Sequence, residues 1–278
     1  MDKRKKVHSF FAVLVLVIIT LGMAPVQETH AATDEAKAEF REIVIEMFQK
    51  GDTSTKDIND LKLTWFEYNE IYLDVIANEC WLEYQCCYNA VNQSQTYTEN
   101  GVNYVKSFYV KNMDSNLPAY SAEARKHIEY INSQIDSQMT DLDKLVLIHD
   151  YIDKINSYDM DAPHGYIHSA TGPLYYGTSV CDGYAKAMNL LLKAVDVEVD
   201  TIGNDTHGWS LVKIDGEYYH VDATWDDTRT GVTGSYRTHY FMMRNDDEYI
   251  NDTYSAHTGF KKWDSTIKGY KTTFSTST

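Results

Sequence analysis

The sequence predicts a fold that mixes helices with an antiparallel β-hairpin. Three observations carry that expectation. Apolar residues recur at helical spacing through much of the first half, Asp215-Gly216 forms a strong two-residue turn, and a new helical pattern opens near Cys181. A hydrophobic fraction of 43% with 24% charged residues is that of an ordinary globular protein, neither disordered nor fibrous.

The first element is an export signal, assigned to residues 1–31. Lys3, Arg4, Lys5 and Lys6 precede an apolar run from Phe10 to about Leu21, followed by small residues at His30-Ala31-Ala32. The run is shorter than the ~20 residues a membrane-spanning helix needs, so cleavage near Ala31 is expected over an uncleaved anchor. The protein is therefore expected outside the cell, or in the periplasm if the source has an outer membrane. Contact with a membrane is expected only through the signal before cleavage.

Two portions follow, a mainly helical one over 32–135 and a second module over 136–278. Ala36, Phe40, Ile43, Ile45, Met47 and Phe48 predict a helix from Thr33 to Lys50, stopped by Gly51-Asp52. A second helix is expected from about Thr55 to Tyr72. The stretch from Cys80 to Met113 is ambiguous, but Tyr104 to Val110 alternates like a strand after the Asn100-Gly101 turn. Ser121 to about Ser137 reads as a helix capped by Ser121. Asp141 to Ile155 is a stronger helix, with Leu142, Leu145, Ile148, Tyr151 and Ile152 on one face.

Export permits disulfides, so the four cysteines need separate treatment. In a helix, Cys80 and Cys87 would lie about 10 Å apart, beyond the ~7 Å Cα limit for a bridge. Cys80, Cys86 and Cys87 are therefore expected to be buried thiols that pack as small apolar groups. Cys181 stands alone. From Val180 onward, Tyr184, Ala187, Met188, Leu191, Leu192 and Val195 recur at helical spacing, with Ser179 as expected N-cap and Asp182 reaching back as in a capping box. Cys181 would then be the second residue of the helix, where the dipole favours a thiolate.

The hairpin adds what a nucleophilic thiol needs. If Asp215 and Gly216 are its central turn residues, His207 faces Thr224 and Trp209 faces Asp222, all on one side of the sheet. His207 and Asp222 are then diagonal neighbours, roughly 5.5–8 Å between Cβ atoms, close enough to hydrogen-bond. The carboxylate would orient the ring and stabilise its charged form. His220 shares that face but stands beside Asp222 on one strand, about 6–7 Å away, and is read as structural. His149, His164, His168, His239 and His257 show no comparable pairing. A metal site built from Cys181, His207, His220 and Asp222 lacks a recognised ligand spacing, so neither metal nor cofactor is expected. The acidic clusters Asp226-Asp227 and Asp246-Asp247-Glu248 are read as solvated loops.

The runs SVCDGYAKAMNLLL (179–192), THGWSLVKIDGEYYHVDATWDD (206–227) and THYFMMRNDDEY (238–249), with LVLIHDYIDKINSYD (145–159) upstream, resemble the transglutaminase-like superfamily of bacterial secreted proteins. The resemblance covers about residues 141–250. It implies an α+β, papain-like core in which an antiparallel sheet packs on the helix that bears the nucleophile. It also implies Cys181 as nucleophile, His207 as general base and acid, and Asp222 as orienting carboxylate. Attack on a carboxamide or peptide carbonyl would give a thioester, resolved by an amine to a cross-link or by water to hydrolysis. Tyr175 and Tyr176 are candidate oxyanion donors, and Trp209 could shield the thioester or simply fill the core. Calcium dependence is not carried over, because the match does not reach the flanking β-sandwich domains of animal transglutaminases.

The formal charge of −16 leaves no basic surplus to neutralise phosphates, which argues against nucleic acid as a partner. The expected partners are proteins or peptides offering a glutamine-type amide, with a lysine amine as acceptor, at the cell surface. The competing reading is a non-catalytic binding protein that keeps this fold and attaches to a cell-surface polymer through its many aromatics.

Overall fold

The computed structural model describes residues 31–87, 90–227, 240–243 and 261–262. Residues 1–30, the body of the expected signal, lie outside them, as do His239, His257 and the Asp246–Glu248 cluster. The fold is α+β. Its first helix, α1 (Asp34–Lys50), starts on Thr33, whose side chain accepts the Ala36 N–H, and ends at Gly51 in the left-handed conformation. Phe40, Val44, Met47 and Phe48 are its buried face.

The second helix begins later than its apolar pattern suggests. Lys56–Asp57 forms a short strand, β1, and a 3-10 turn spans Asn59–Leu61. Only then does α2 (Trp65–Asn78) start, at a capping box in which Thr64 and Glu67 satisfy each other's backbone N–H. After α3 (Trp81–Cys86) comes a hairpin of β2 (Val91–Glu99) and β3 (Val102–Lys111). Asn100 and Gly101, both at positive φ, make its turn. A bulge at Gln95/Thr96 lets Lys106 stand out of register, and its carbonyl accepts the Ile58 N–H. The three-stranded order is β1-β3-β2.

Helix α4 (Leu117–Gln134) starts earlier than expected, with Pro118 in its first turn, and Ser121 is buried within it rather than capping it. Helix α5 (Asp141–Ile155) matches its expected range, opened by a capping box of Thr140 and Asp143. Its buried face differs from the apolar count. Leu142 is exposed, whereas His149 and Asp153 are buried beside Leu145, Ile148 and Ile152. Strand β4 (Ser157–Tyr158) runs parallel to β5 (Thr178–Ser179), and a π-helical turn over Gly172–Tyr176 precedes β5.

The rest holds the site-bearing elements: α6 (Cys181–Ala194), β6 (Val199–Gly203), β7 (Gly208–Ile214), β8 (Glu217–Val221), the short α7 (Ala223–Asp226) and β9 (Lys261–Lys262). The sheet order is β8-β7-β6-β9, antiparallel throughout. The β7–β8 register pairs Ser210 with Val221 and Ile214 with Glu217 around Asp215-Gly216, as the turn requires. Tyr184, Ala187, Met188 and Leu191 of α6 join Val199, Val212 and Val221 of the sheet in a core continuous with α1 to α5. A smaller cluster of Ile202, Trp209 and Leu211 forms separately from it. Cys80, Cys86 and Cys87 are buried free thiols.

One polar contact locks α6 to the sheet. Buried Asn189 donates to Thr201 Oγ1 at 2.6 Å and accepts from Ser210 Oγ at 2.7 Å. Asn189→Ala strands both hydroxyls in a dry interior. Its stability in urea unfolding should fall by about 1–3 kcal/mol. An unchanged midpoint would mean that the contact does not hold the helix.

Candidate active site

The site is built at the start of α6, where the chain departs from the expected capping. The N-cap is Val180, without a side-chain bond, so Cys181 is the first helical residue rather than the second. Ser179, the expected cap, is buried and accepts instead from Asn156 Nδ2 at 2.7 Å. Asp182 does not reach back either; both its oxygens meet His168 Nδ1, at 2.8 and 3.0 Å. The helix start is held by the crossing segment, with Val180 N–H donating to the Ile167 carbonyl. This crossing needs a glycine: a Cβ on Gly183 would lie 2.4 Å from the Ile167 carbonyl oxygen.

Cys181 is partly exposed, unlike the other three cysteines. Burial pushes the Cys80 and Cys86 thiols up to about 12, which leaves them inert. Cys181 instead sits where the first N–H groups and the positive dipole end of α6 converge.

His207 and Asp222 lie just beyond the paired ends of β7 and β8. The hairpin register places them across the diagonal, and His207 Nε2 is 2.5 Å from Asp222 Oδ2. Both are buried. The other carboxylate oxygen, Oδ1, accepts the Thr224 and Trp225 N–H groups and caps α7. His207 is fixed from the main chain as well: Asn204 Oδ1 accepts its N–H at 2.9 Å. Its ring stacks on Trp209, centroids 5.6 Å apart, and tilts against Trp225 at 5.8 Å. With Nε2 given to Asp222, Nδ1 is the nitrogen left for sulfur, and Cys181 is near enough to the ring to affect its charge. Burial alone would lower the imidazole's pKa. The Asp222 charge and hydrogen bond, with the Cys181 contact, outweigh it and raise the pKa to about 10.

The remaining residues singled out in the sequence are placed as follows. His220 accepts from Trp209 Nε1 at 2.9 Å and so fixes the indole that backs His207. Tyr175 and Tyr176 are half exposed at the end of the π-helical turn, where both pack on Tyr120. Tyr176 also stacks on His164 at 4.0 Å, and its hydroxyl lies 3.2 Å from that of Tyr120. One aromatic within electrostatic range of the thiol is Tyr158. It pairs with Ser179 across β4–β5, and its hydroxyl pKa is raised by burial and then by the charges of Cys181 and Asp182. Sequence reasoning missed it because a two-residue parallel pairing leaves no periodic signal.

Asp226 and Asp227 are not solvated loop acids. Asp226 is fully buried against His149 of α5, at 3.2 Å, and Asp227 accepts the Tyr184 hydroxyl. A buried carboxylate must find a donor, and His149 is brought to it only by the packing of α5 on α7. Among the described residues no group of three or more His, Cys, Asp or Glu is arranged to hold a metal ion.

No curated protein matches the chain. Among solved structures it is similar to a candidate protease from Parabacteroides distasonis ATCC 8503, at 12% identity and TM-score 0.31, over 49% of this chain and 36% of that one. A candidate cysteine protease from Cytophaga hutchinsonii matches at 12% identity and TM-score 0.31, over 49% of this chain and 64% of that one. A structure described as a TGase matches at 13% identity and TM-score 0.30, over 58% and 49%. The chain thus spans less than two-thirds of each of these structures. The family model of the Transglutaminase-like superfamily matches residues 128–223, from α4 to the first residue of α7. That match takes in Cys181, His207 and Asp222, so this part of the chain is similar to the transglutaminase-like superfamily.

Proposed function

We propose that the protein is an exported thiol enzyme that attacks carboxamide or peptide carbonyls through a thioester on Cys181. The observation that carries this reading is the buried His207–Asp222 pair within electrostatic reach of a partly exposed thiol at a helix start. A raised imidazole pKa favours imidazolium near neutral pH, the charged partner a thiol nucleophile needs.

In the proposed reaction the Cys181 thiolate adds to the carbonyl carbon. The developing oxyanion is met by the Cys181 N–H at the positive end of α6. His207 then gives its proton to the departing nitrogen, the C–N bond breaks, and a thioester remains. Water or a primary amine attacks the thioester, loses its proton to His207 and releases the thiolate. Asp222 keeps the ring oriented and its charge compensated, and it stays ionised throughout. Trp209, stacked on the ring, keeps water off that face. The substrates are protein or peptide amides, with a lysine amine as acceptor when the outcome is transfer.

Iodoacetamide labelling of Cys181 across pH, followed by mass spectrometry, tests the activated thiol. Labelling should be rapid below pH 7, and His207→Ala should move its midpoint to about 8.5, the value of an ordinary thiol. A wild-type Cys181 that labels like a free thiol would overturn the enzyme reading.

With a glutamine-containing protein and a fluorescent primary amine, wild type should form a thioester adduct at Cys181 and Cys181→Ser none. An equal yield of product from Cys181→Ser would remove that residue from the chemistry.

The raised pKa of His207 also predicts a stability profile. The folded-state value, about 10, lies above the ordinary 6.5, so the stabilisation is complete below pH 6.5 and disappears as pH rises towards 10. The Tm gap between wild type and His207→Gln should therefore be widest below pH 6.5 and close towards pH 10. A gap that widens with pH would show the ring to be neutral in the folded protein.

A further inference from the structure

We infer that His149 is a positioning residue for the Cys181–His207–Asp222 site, acting through Asp226 on the turn that carries Asp222. The inference rests on the acyl-transfer reading above, but a different set of atoms carries it.

His149 is fully buried on α5, and none of the proposed steps uses it. Its Nε2 lies 3.2 Å from Asp226 Oδ2. The other oxygen of Asp226, Oδ1, accepts the Tyr240 N–H at 3.4 Å. The Tyr240 carbonyl in turn accepts the Asp222 N–H at 2.9 Å, and the Asp222 carbonyl accepts the Asp226 N–H at 3.1 Å. These bonds close a ring: Asp222, Tyr240 and Asp226 hold one another, and His149 ties the ring to α5. Ring contacts continue the same frame, since Trp225 packs edge-on against Tyr240 and touches His207, while Phe241 packs edge-on against His149.

The charges around His149 explain why a histidine suits this position. Asp150 and Asp153 of its own helix lie 3.5 and 3.6 Å from Nδ1, and Asp226 faces Nε2 from α7. Asp227, beside it, is engaged by Tyr184 of α6. Burial works against the His149 cation, but these carboxylates outweigh it and raise its pKa to about 9. Burial pushes Asp153 up to about 8 in spite of His149, so near neutral pH the main ion pair is His149–Asp226. A donor fixed there engages Asp226 Oδ2 while Oδ1 accepts the Tyr240 N–H, which is what the ring of bonds requires. Asp222 has no freedom of its own, because α7 consists of four residues and begins on its carboxylate.

The test is the pH profile of Cys181 alkylation in the full-length protein, with circular dichroism confirming the fold. His149→Leu leaves Asp226 without its cation. It should slow alkylation at pH 6 roughly tenfold to a hundredfold, the scale expected for a misplacement of about 1 Å, and move the midpoint upward. His149→Gln, which still offers an N–H to Asp226, should return most of the rate. In an Asp222→Ala background, His149→Leu should add nothing further. Should His149→Leu fail to fold, Asp226→Asn breaks the bridge from the other end, because a carboxamide presents an acceptor to only one of His149 and Tyr240. It must then produce the same upward shift.

A merely structural role would lower Tm and leave the midpoint of the folded protein where it is in wild type. That result, or a His149→Gln profile as displaced as that of His149→Leu, would overturn the inference while leaving the acyl-transfer reading standing. Failure of the wild-type thiol to show activation would instead sink that reading itself.

Discussion

The bond between His207 and Asp222 is the interaction on which the rest of the site depends. Both groups are buried, and a buried carboxylate survives only when its oxygens are satisfied. Asp222 divides them: one takes the imidazole, the other caps α7 through two backbone N–H groups. The same carboxylate thus raises the pKa of the ring and ends the β8 strand in a helical turn. Removing it would disturb the charge on His207 and the backbone that presents it.

The thiol is brought to this pair by the packing of α6 on the sheet. Asn189 fixes the helix to β6 and β7, and Gly183 allows the segment around Ile167 to cross its first turn. The crossing segment takes over the capping role, which frees Ser179 for Asn156 and Asp182 for His168. Cys181 is left as the first helical residue, partly exposed, with the dipole behind it. A side-chain cap at Ser179 would have met the first N–H groups of the helix, where the proposed oxyanion is received.

Fold elements with a strong local cause were legible in advance. Helices α1 and α5 are set by apolar periodicity with Thr33 and Thr140 at their starts, and the two hairpins by Asn100-Gly101 and Asp215-Gly216. Element starts and burial differ from expectation where one signal outranked another, whether local or distant. The Thr64–Glu67 box starts α2 later than its apolar pattern does, and Ser121 is buried inside α4 because Pro118 begins the helix earlier. Nothing local marks Asp226 as buried, because its partner, His149, lies 77 positions away. Tyr158 gave no signal, because β4 meets β5 over only two residues.

The sequence by itself determined which groups are available and, through the hairpin register, that His207 and Asp222 face the same side. Period-two alternation and a two-residue turn leave no other pairing, so that part of the geometry is local. The tertiary structure decided that Cys181 comes within electrostatic reach of the imidazole and that Asp226 is buried against His149. Each of these contacts joins elements far apart in the chain. Their meeting depends on how whole helix and sheet faces exclude water, which no short stretch of sequence encodes.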